Sequence, residues 1–186
     1  KYYYNNNDEF NAIKSETDNL LFFNRQKFNQ FPNIINYSNN LLIMSFINND
    51  DDQPNKTNDD LLNNIISLHS NKSENYGFSF DTQIGGLRQI NFSSKNWLEF
   101  YRDKRLGYIF DLINKNQPMD ETINTKIDLL IKKIENFIPN KPISSLLHGD
   151  LWEGNILFKN KKFVGFIDPG SFYGHNELEV SYLRWF

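Results

Sequence analysis

His148–Asn155 reads HGDLWEGN, and Ile167–Gly170 reads IDPG. Between them, Ile156-Leu157-Phe158 and Phe163 to Ile167 are short apolar runs around Lys159-Asn160-Lys161-Lys162. Apolar runs flanking a polar turn with Asn predict a β-hairpin. If the two runs pair, Asn155 and Asp168 share the open end of that hairpin. One carboxylate and one amide oxygen in that position suit a hard divalent cation, which prefers oxygen ligands. Asp150 sits in a short loop before the first strand, where it can accept a proton from an attacking hydroxyl. Taken singly, an Asp in a Gly-containing turn is a turn residue and an Asn at a strand start is a cap. The order and spacing of the three carry the reading. A loop Asp, an Asn a few residues on and a metal-binding Asp after a hairpin are the parts of phosphoryl transfer on a kinase-type scaffold.

Moving outward, Asp8 to Asn29 carries Phe10, Ile13, Leu20 and Leu21 at rough helical spacing, and Pro32 closes the region. Ile34–Ser38 and Leu41–Ile47 are β-prone runs separated by Asn39-Asn40, which predicts a tight hairpin. The run from Asn48 to Asp60 (NNDDDQPNKTNDD) is nearly devoid of apolar side chains and predicts a mobile loop. Asp59-Asp60 then opens an amphipathic helix through Leu68. Residues 70–94, with Gly77, Gly85 and Gly86, read as an irregular shaped loop. Ser94 is placed to cap a helix bearing Trp97, Phe100, Tyr101, Ile109 and Ile113. Residues 120–138 carry a further apolar stripe from Ile123 to Ile138, ended by Pro139 and Pro142.

Composition narrows the classes. The 186 residues carry 20 Lys+Arg against 23 Asp+Glu, a formal net charge of -3, which gives no support to a broad nucleic-acid surface or a polybasic membrane anchor. There is no Cys, hence no disulfide framework, thiolate nucleophile or Cys-based zinc site. No apolar stretch approaches a membrane span, and no signal-peptide pattern is present, so the expected location is cytoplasmic. The 29 Asn residues are read as background on loops and helix faces, with Asn155 alone asked to do chemistry. The first Met is Met44 and the first Gly is Gly77, which predicts a chain that is a piece of something longer.

HGDLWEGN followed by IDPGSFYGHNELEV closely resembles the fructosamine kinase family, a branch of the aminoglycoside-phosphotransferase-like kinases. The Trp after HGDL, the Gly-Asn pair and the DP-x-x-x-YG run carry the likeness. Leu68-His69, YGFSFDTQIGG at Tyr76–Gly86 and NWLEFYRDKRLG at Asn96–Gly107 also resemble blocks of that family. The likeness runs from about Phe10 to Phe186. It implies an α+β, protein-kinase-like two-lobed fold. Residues 1–47 would be a partial nucleotide-binding lobe, 48–60 a mobile insertion, and 61–186 a mostly helical catalytic lobe with a catalytic β-hairpin.

The resemblance also implies an activity: ATP- and magnesium-dependent phosphorylation of a hydroxyl on ketosamine adducts of small amines or protein lysines, after which the adduct falls apart and the amine is returned. Asp150 would be the base, and Asn155 and Asp168 the magnesium ligands. Trp152 would present a flat face to substrate, or else pack as a core indole. Asp81 would be substrate-side or loop-structural. Lys1 and Glu16 would form the phosphate-orienting pair, or an ordinary surface ion pair. Backbone groups of Ser45, Phe46 and Ile47 would meet the adenine. His148 would orient its loop by hydrogen bonds, and Glu177 and Glu179 would pin the last helix start. Relative to the family, Ser79 and Thr82 replace a His and an Asn, Glu179 replaces an Asp, and the Gly-rich phosphate loop must precede Lys1. Two other readings stay open: a kinase for an aminoglycoside- or choline-like hydroxyl, and a non-catalytic kinase-like fragment.

Overall fold

The computed structural model describes residues 10–50, 52–54 and 58–184. Helix α1 (Ala12–Arg25) starts where the Asn11 side chain accepts from the Lys14 amide at 2.9 Å, satisfying one of the orphan donors of a helix start. Its inner face buries Ile13, Leu20 and Phe23, and the Phe23 ring stacks on Phe31 with centroids 3.8 Å apart. Strands β1 (Ile34–Ser38) and β2 (Leu41–Met44) form the expected antiparallel hairpin around Asn39-Asn40. The second strand stops short of Ile47. Asn33 and Ser45 close the ladder themselves: the Ser45 amide donates to Asn33 O at 2.8 Å and the Ser45 hydroxyl accepts from the Asn33 amide at 2.9 Å.

The run expected to be mobile is anchored at its described residues. The Asp50 amide donates to Phe158 O at 3.1 Å, and the Asp50 carboxylate accepts from the Asn160 amide at 3.1 Å. Asp52 O accepts from the Lys161 amide at 3.0 Å. Low hydrophobicity predicted disorder, but backbone and carboxylate bonds hold Asp50 and Asp52, which bury little apolar surface. Asn58 ends the run by capping α2 (Asp59–His69), its side chain accepting from the Leu61 amide at 2.9 Å.

Strand β3 (Lys72–Ser73) and the hairpin β4 (Thr82–Ile84) and β5 (Leu87–Gln89) follow, so the irregular loop holds short strands around Gly85-Gly86. Helix α3 (Trp97–Tyr101) is capped by Asn96, whose side chain accepts from the Glu99 amide at 3.2 Å. The predicted cap, Ser94, instead accepts from the Asn96 amide at 3.1 Å. The chain continues through a wider π-type segment, Arg102–Gly107, into α4 (Tyr108–Asn116). Helix α5 (Glu121–Lys132) stops before the end of its apolar stripe, which finishes in a single 3-10 turn at Ile134–Asn136. Neither α4 nor α5 has a buried side chain. Ile109, Ile113, Ile123, Leu129 and Leu130 are all exposed.

Strand β6 (Ser144–Leu147) is buried throughout. Then come β7 (Ile156–Lys159), β8 (Lys162–Phe166), β9 (Phe172–His175) and α6 (Asn176–Tyr182). The β7–β8 turn sits on Asn160 and Lys161 at φ 49° and 62°, the double left-handed geometry that matches strand twist in a two-residue hairpin. Strands β3, β6 and β9 form an antiparallel sheet with β6 in the middle. The main core gathers Ile13, Leu20, Phe23, Phe31, Leu146, Leu151 and Phe166. Each such side chain contributes about 1.5–3 kcal/mol by leaving water, so the loop carrying Leu151 is fixed from below. Among the described residues no helix is long and apolar enough to cross a membrane.

Candidate active site

The central loop His148–Asp150 leaves β6 and is held on three sides. The His148 ring is fully buried against Phe31 and Phe166, with ring centroids 5.8 Å and 5.7 Å away. Its Nε2 lies 2.9 Å from Ile167 O, so the loop is tied to the segment that carries Asp168. Burial pushes the His148 pKa below its ordinary value, against smaller opposing pulls from Glu179, the Ile167 carbonyl and Asp168. A neutral ring making hydrogen bonds is what the orienting role requires. Gly149 adopts φ +86°, and a Cβ there would fall 2.1 Å from Gly170 O. Only glycine allows these two loops to touch.

Glu179 is the third anchor. It is buried, its Oε1 accepts from the Gly149 amide at 2.8 Å, and its Oε2 lies 2.6 Å from His69 Nε2. It thus reaches from α6 to both the His148–Asp150 loop and the end of α2. Glu177 and Glu179 both stand in the first turn of α6 as expected, and Glu179 also joins elements 110 residues apart. A buried His–Glu partnership across that separation has no local signature in the sequence.

Asn155 and Asp168 meet at one end of the hairpin, as its pairing predicted, and Asn155 reaches Asp150. Ile156 pairs with Phe166, and the Ile167 amide donates to Asn155 O at 3.1 Å, so Asn155 and Asp168 flank one end of the hairpin. The buried Asn155 amide donates to Asp150 O at 2.8 Å and to the Asp150 carboxylate at 3.0 Å. Asp168 holds φ +55°, a left-handed conformation uncommon for a residue with a Cβ. Burial raises the Asp150 pKa above its ordinary value. The Asn155 hydrogen bond opposes that shift, and the charges of Asp168 and Glu179 add to it. The Asp168 carboxylate and the Asn155 amide oxygen at one hairpin end are a donor pair suited to magnesium. It is a sparse set: among the described residues no cluster of three His, Cys, Asp or Glu could hold a metal ion.

The remaining expected site residues divide. Trp152 is 38% exposed, and its indole lies so close on Gly154 that a Cβ there would come within 2.3 Å of the ring. One face is therefore used for packing while the residue stays open to solvent. Asp81 takes the loop-structural role. Its Oδ2 accepts from Arg88 Nε at 2.7 Å and its Oδ1 from the Asn91 amide at 2.8 Å, so both carboxylate oxygens hold their own loop. Glu16 is buried on the inner face of α1; Lys1, its expected partner, lies outside the described residues. In the segment expected to meet adenine, the Ser45 amide is bonded to Asn33 O, and Ile47 O accepts from Asn49 at 2.9 Å. Phe46 is 83% exposed, and Ile47 lies over Gly165 of β8.

Sequence reading missed Asn19 and treated it as background. It is fully buried in α1, where its Nδ2 donates to Ser15 O at 3.1 Å and its Oδ1 accepts from the Ser171 amide at 3.1 Å. Helix α1 therefore positions the loop that follows Asp168. Asn91 is buried too, donating to Thr82 at 2.8 Å and accepting from Arg105 at 2.6 Å.

Comparison with known proteins places this arrangement. The sequence model of the fructosamine kinase family matches residues 2–186. A protein-ribulosamine 3-kinase, chloroplastic, of Arabidopsis thaliana is 36% identical over 147 residues, which is 77% of this chain and 44% of that protein. The chain thus spans less than half the length of that relative. A Thermobifida fusca protein assigned as a fructosamine-3-kinase superposes with a TM-score of 0.79 at 20% identity, covering 95% of this chain and 62% of its own. An ADP-bound aminoglycoside phosphotransferase superposes with a TM-score of 0.58 at 17% identity, covering 90% of this chain and 57% of its own. The fold is protein-kinase-like, and the chain belongs to the fructosamine kinase family.

Proposed function

We propose that this chain carries the catalytic loop of an ATP- and magnesium-dependent kinase that phosphorylates a hydroxyl of ketosamines, with loss of the sugar from the amine as the later consequence. The observation that carries the reading is the Asp150–Asn155–Asp168 group: Asn155 bonded to the Asp150 carboxylate at 3.0 Å, beside Asp168 in a left-handed conformation. The relative named as a ribulosamine kinase supports the acceptor. Asp150 takes the proton of the attacking hydroxyl as its oxygen bonds to the γ-phosphorus and the bond to the β-phosphate oxygen breaks, leaving ADP. The raised Asp150 pKa suits it to hold that proton. Asn155 Oδ1 and the Asp168 carboxylate would hold magnesium, which supplies charge neutralisation across the phosphates when bound.

The half-exposed Trp152 ring offers an apolar face to the sugar side of the acceptor. Residues up to Ile47 form the nucleotide side in this reading, with the exposed Phe46 and its neighbours toward the adenine and Lys1 with Glu16 toward the phosphates. A cytoplasmic location belongs to the proposal as well. The test is ADP release by the protein with magnesium, ATP and ribulosyl- or fructosyl-lysine. Turnover of these adducts is expected. No turnover on any ketosamine together with turnover of another hydroxyl acceptor overturns the substrate assignment.

A further inference from the structure

The catalytic group addresses the reacting hydroxyl and leaves the amine-derived half of the acceptor undefined. A cavity of about 460 Å³ opens between α4, α5, the β4–β5 hairpin and the end of α6, within the size range of small-molecule sites. Two lining residues tie it to the reacting groups. Gln89 Nε2 donates at 3.1 Å to Gly170 O, in the loop that follows Asp168. Tyr182 lies within electrostatic reach of Asp150. Burial first, then Tyr101, Asp150 and Glu179, push its hydroxyl up to about 12, with Arg105 opposing. The cavity therefore abuts the loop that follows Asp168.

Its walls are apolar, built from Leu87, Leu106, Ile109, Phe110, Ile113 and Ile127. This is where the apolar stripes of α4 and α5, which bury nothing in a core, are used. Among this hydrocarbon stand Arg88, Lys104 and Arg105, and no lining residue is acidic. Arg88 is paired with Asp81 at 2.6 Å. Lys104 makes no ion pair among the described residues. Arg105 donates to neutral oxygens alone: Ile90 O at 2.8 Å, Lys104 O at 3.0 Å and Asn91 Oδ1 at 2.6 Å. Its guanidinium lies 4.2 Å from the Phe172 ring centroid and 4.7 Å from that of Phe100, and its Nε is buried without a hydrogen-bond partner. Burial lowers its pKa to about 10, which leaves it protonated at neutral pH. A guanidinium set in an apolar wall without a carboxylate is costly on its own, and an arriving anion relieves that cost.

We infer that this cavity receives the amine-derived half of the ketosamine, and that this half is an amino acid with an apolar side chain whose carboxylate faces Lys104 and Arg105. The inference rests on the ketosamine kinase reading and narrows its substrate. The apolar side chain fills the wall between α4 and α5 while the sugar hydroxyl stays at Asp150. An adduct on the ε-amine of free lysine carries a second ammonium toward these cations and should turn over more slowly than the leucine adduct.

The test compares ribulose adducts of leucine, of 3-methylbutylamine (leucine without its carboxylate) and of glycine, each with the unaltered protein. The leucine adduct should exceed the glycine adduct in kcat/KM by roughly tenfold or more, as expected for filling an apolar pocket. It should exceed the 3-methylbutylamine adduct by roughly fivefold, the worth of one half-exposed ion pair. Lys104→Ala should narrow that second ratio. Equal kcat/KM for all three adducts overturns the inference and leaves the kinase reading standing. Absence of turnover on every adduct overturns both.

Discussion

Replacing Glu179 with Leu tests the internal support of the catalytic loop. Leucine fills a comparable volume but offers no acceptor. Two buried partners then lose theirs: the Gly149 amide, now bonded at 2.8 Å, and the His69 ring, now at 2.6 Å. Each unsatisfied buried donor costs about 1–3 kcal/mol. Together they cost about 2–6 kcal/mol. For a chain of this size each kcal/mol moves the melting midpoint by about 2–4 °C, so a fall of roughly 4–24 °C is expected by circular dichroism. Glu179→Gln keeps an acceptor for Gly149 and an amide that can face the ring, and should fall much less. His69→Leu combined with Glu179→Leu should cost clearly less than the sum of the single changes, because the two share one interaction. Glu177→Leu, on the exposed side of the same helix, should stay within about 0.5 kcal/mol of the parent. A Glu179→Leu protein that melts with the parent would refute the anchoring role.

Three further outcomes follow from the same geometry. The buried His148 ring has a folded pKa below its unfolded value, so the unfolded chain binds its proton first; its contribution to stability is complete above about pH 6.5 and is lost as pH falls from there toward the folded pKa, at up to about 1.4 kcal/mol per pH unit. Urea midpoints between pH 7.5 and 5.5 should therefore fall more steeply for the parent than for His148→Gln, and equal slopes would contradict this. Gly154→Ala places a methyl within 2.3 Å of the Trp152 ring and should shift the indole emission and raise KM for the acceptor, whereas an unchanged spectrum would deny the contact. Asp81→Asn removes the ion pair with Arg88 and weakens the bond to the Asn91 amide, so it should lower stability by about 1–2 kcal/mol with little change in acceptor KM; a large KM effect at unchanged stability would restore the substrate-side role.

What could be read in the sequence was what local rules decide. The β7–β8 hairpin announced itself through two apolar runs and an Asn-Lys turn, and its register alone brought Asn155 beside Asp168. Helix existence followed from apolar spacing, but spacing says nothing about what covers the apolar face, so the unburied stripes of α4 and α5 were invisible. The Asn48–Asp60 run reads as free when judged from hydrophobicity, while two of its described residues, Asp50 and Asn58, hydrogen-bond to the turn at Asn160-Lys161. Long-range pairings were illegible for the same reason. Nothing near His69 points to Glu179, and nothing near Asn19 points to Ser171. Reading the Asn excess as background missed Asn19, whose amide joins Ser15 O to the Ser171 amide, and Asn91, whose amide donates to Thr82 and accepts from Arg105.

Asp150→Asn tests the central claim most directly, in a single-turnover experiment that follows phosphate on a ribulosamine acceptor while nucleotide binding is measured separately. The change keeps the side chain's size and its place beside Asn155 but removes the proton acceptor. Phosphoryl transfer should fall by at least roughly a hundredfold, the worth of a positioned general base, with nucleotide affinity nearly unchanged. Transfer at the parent rate by Asp150→Asn would contradict the account.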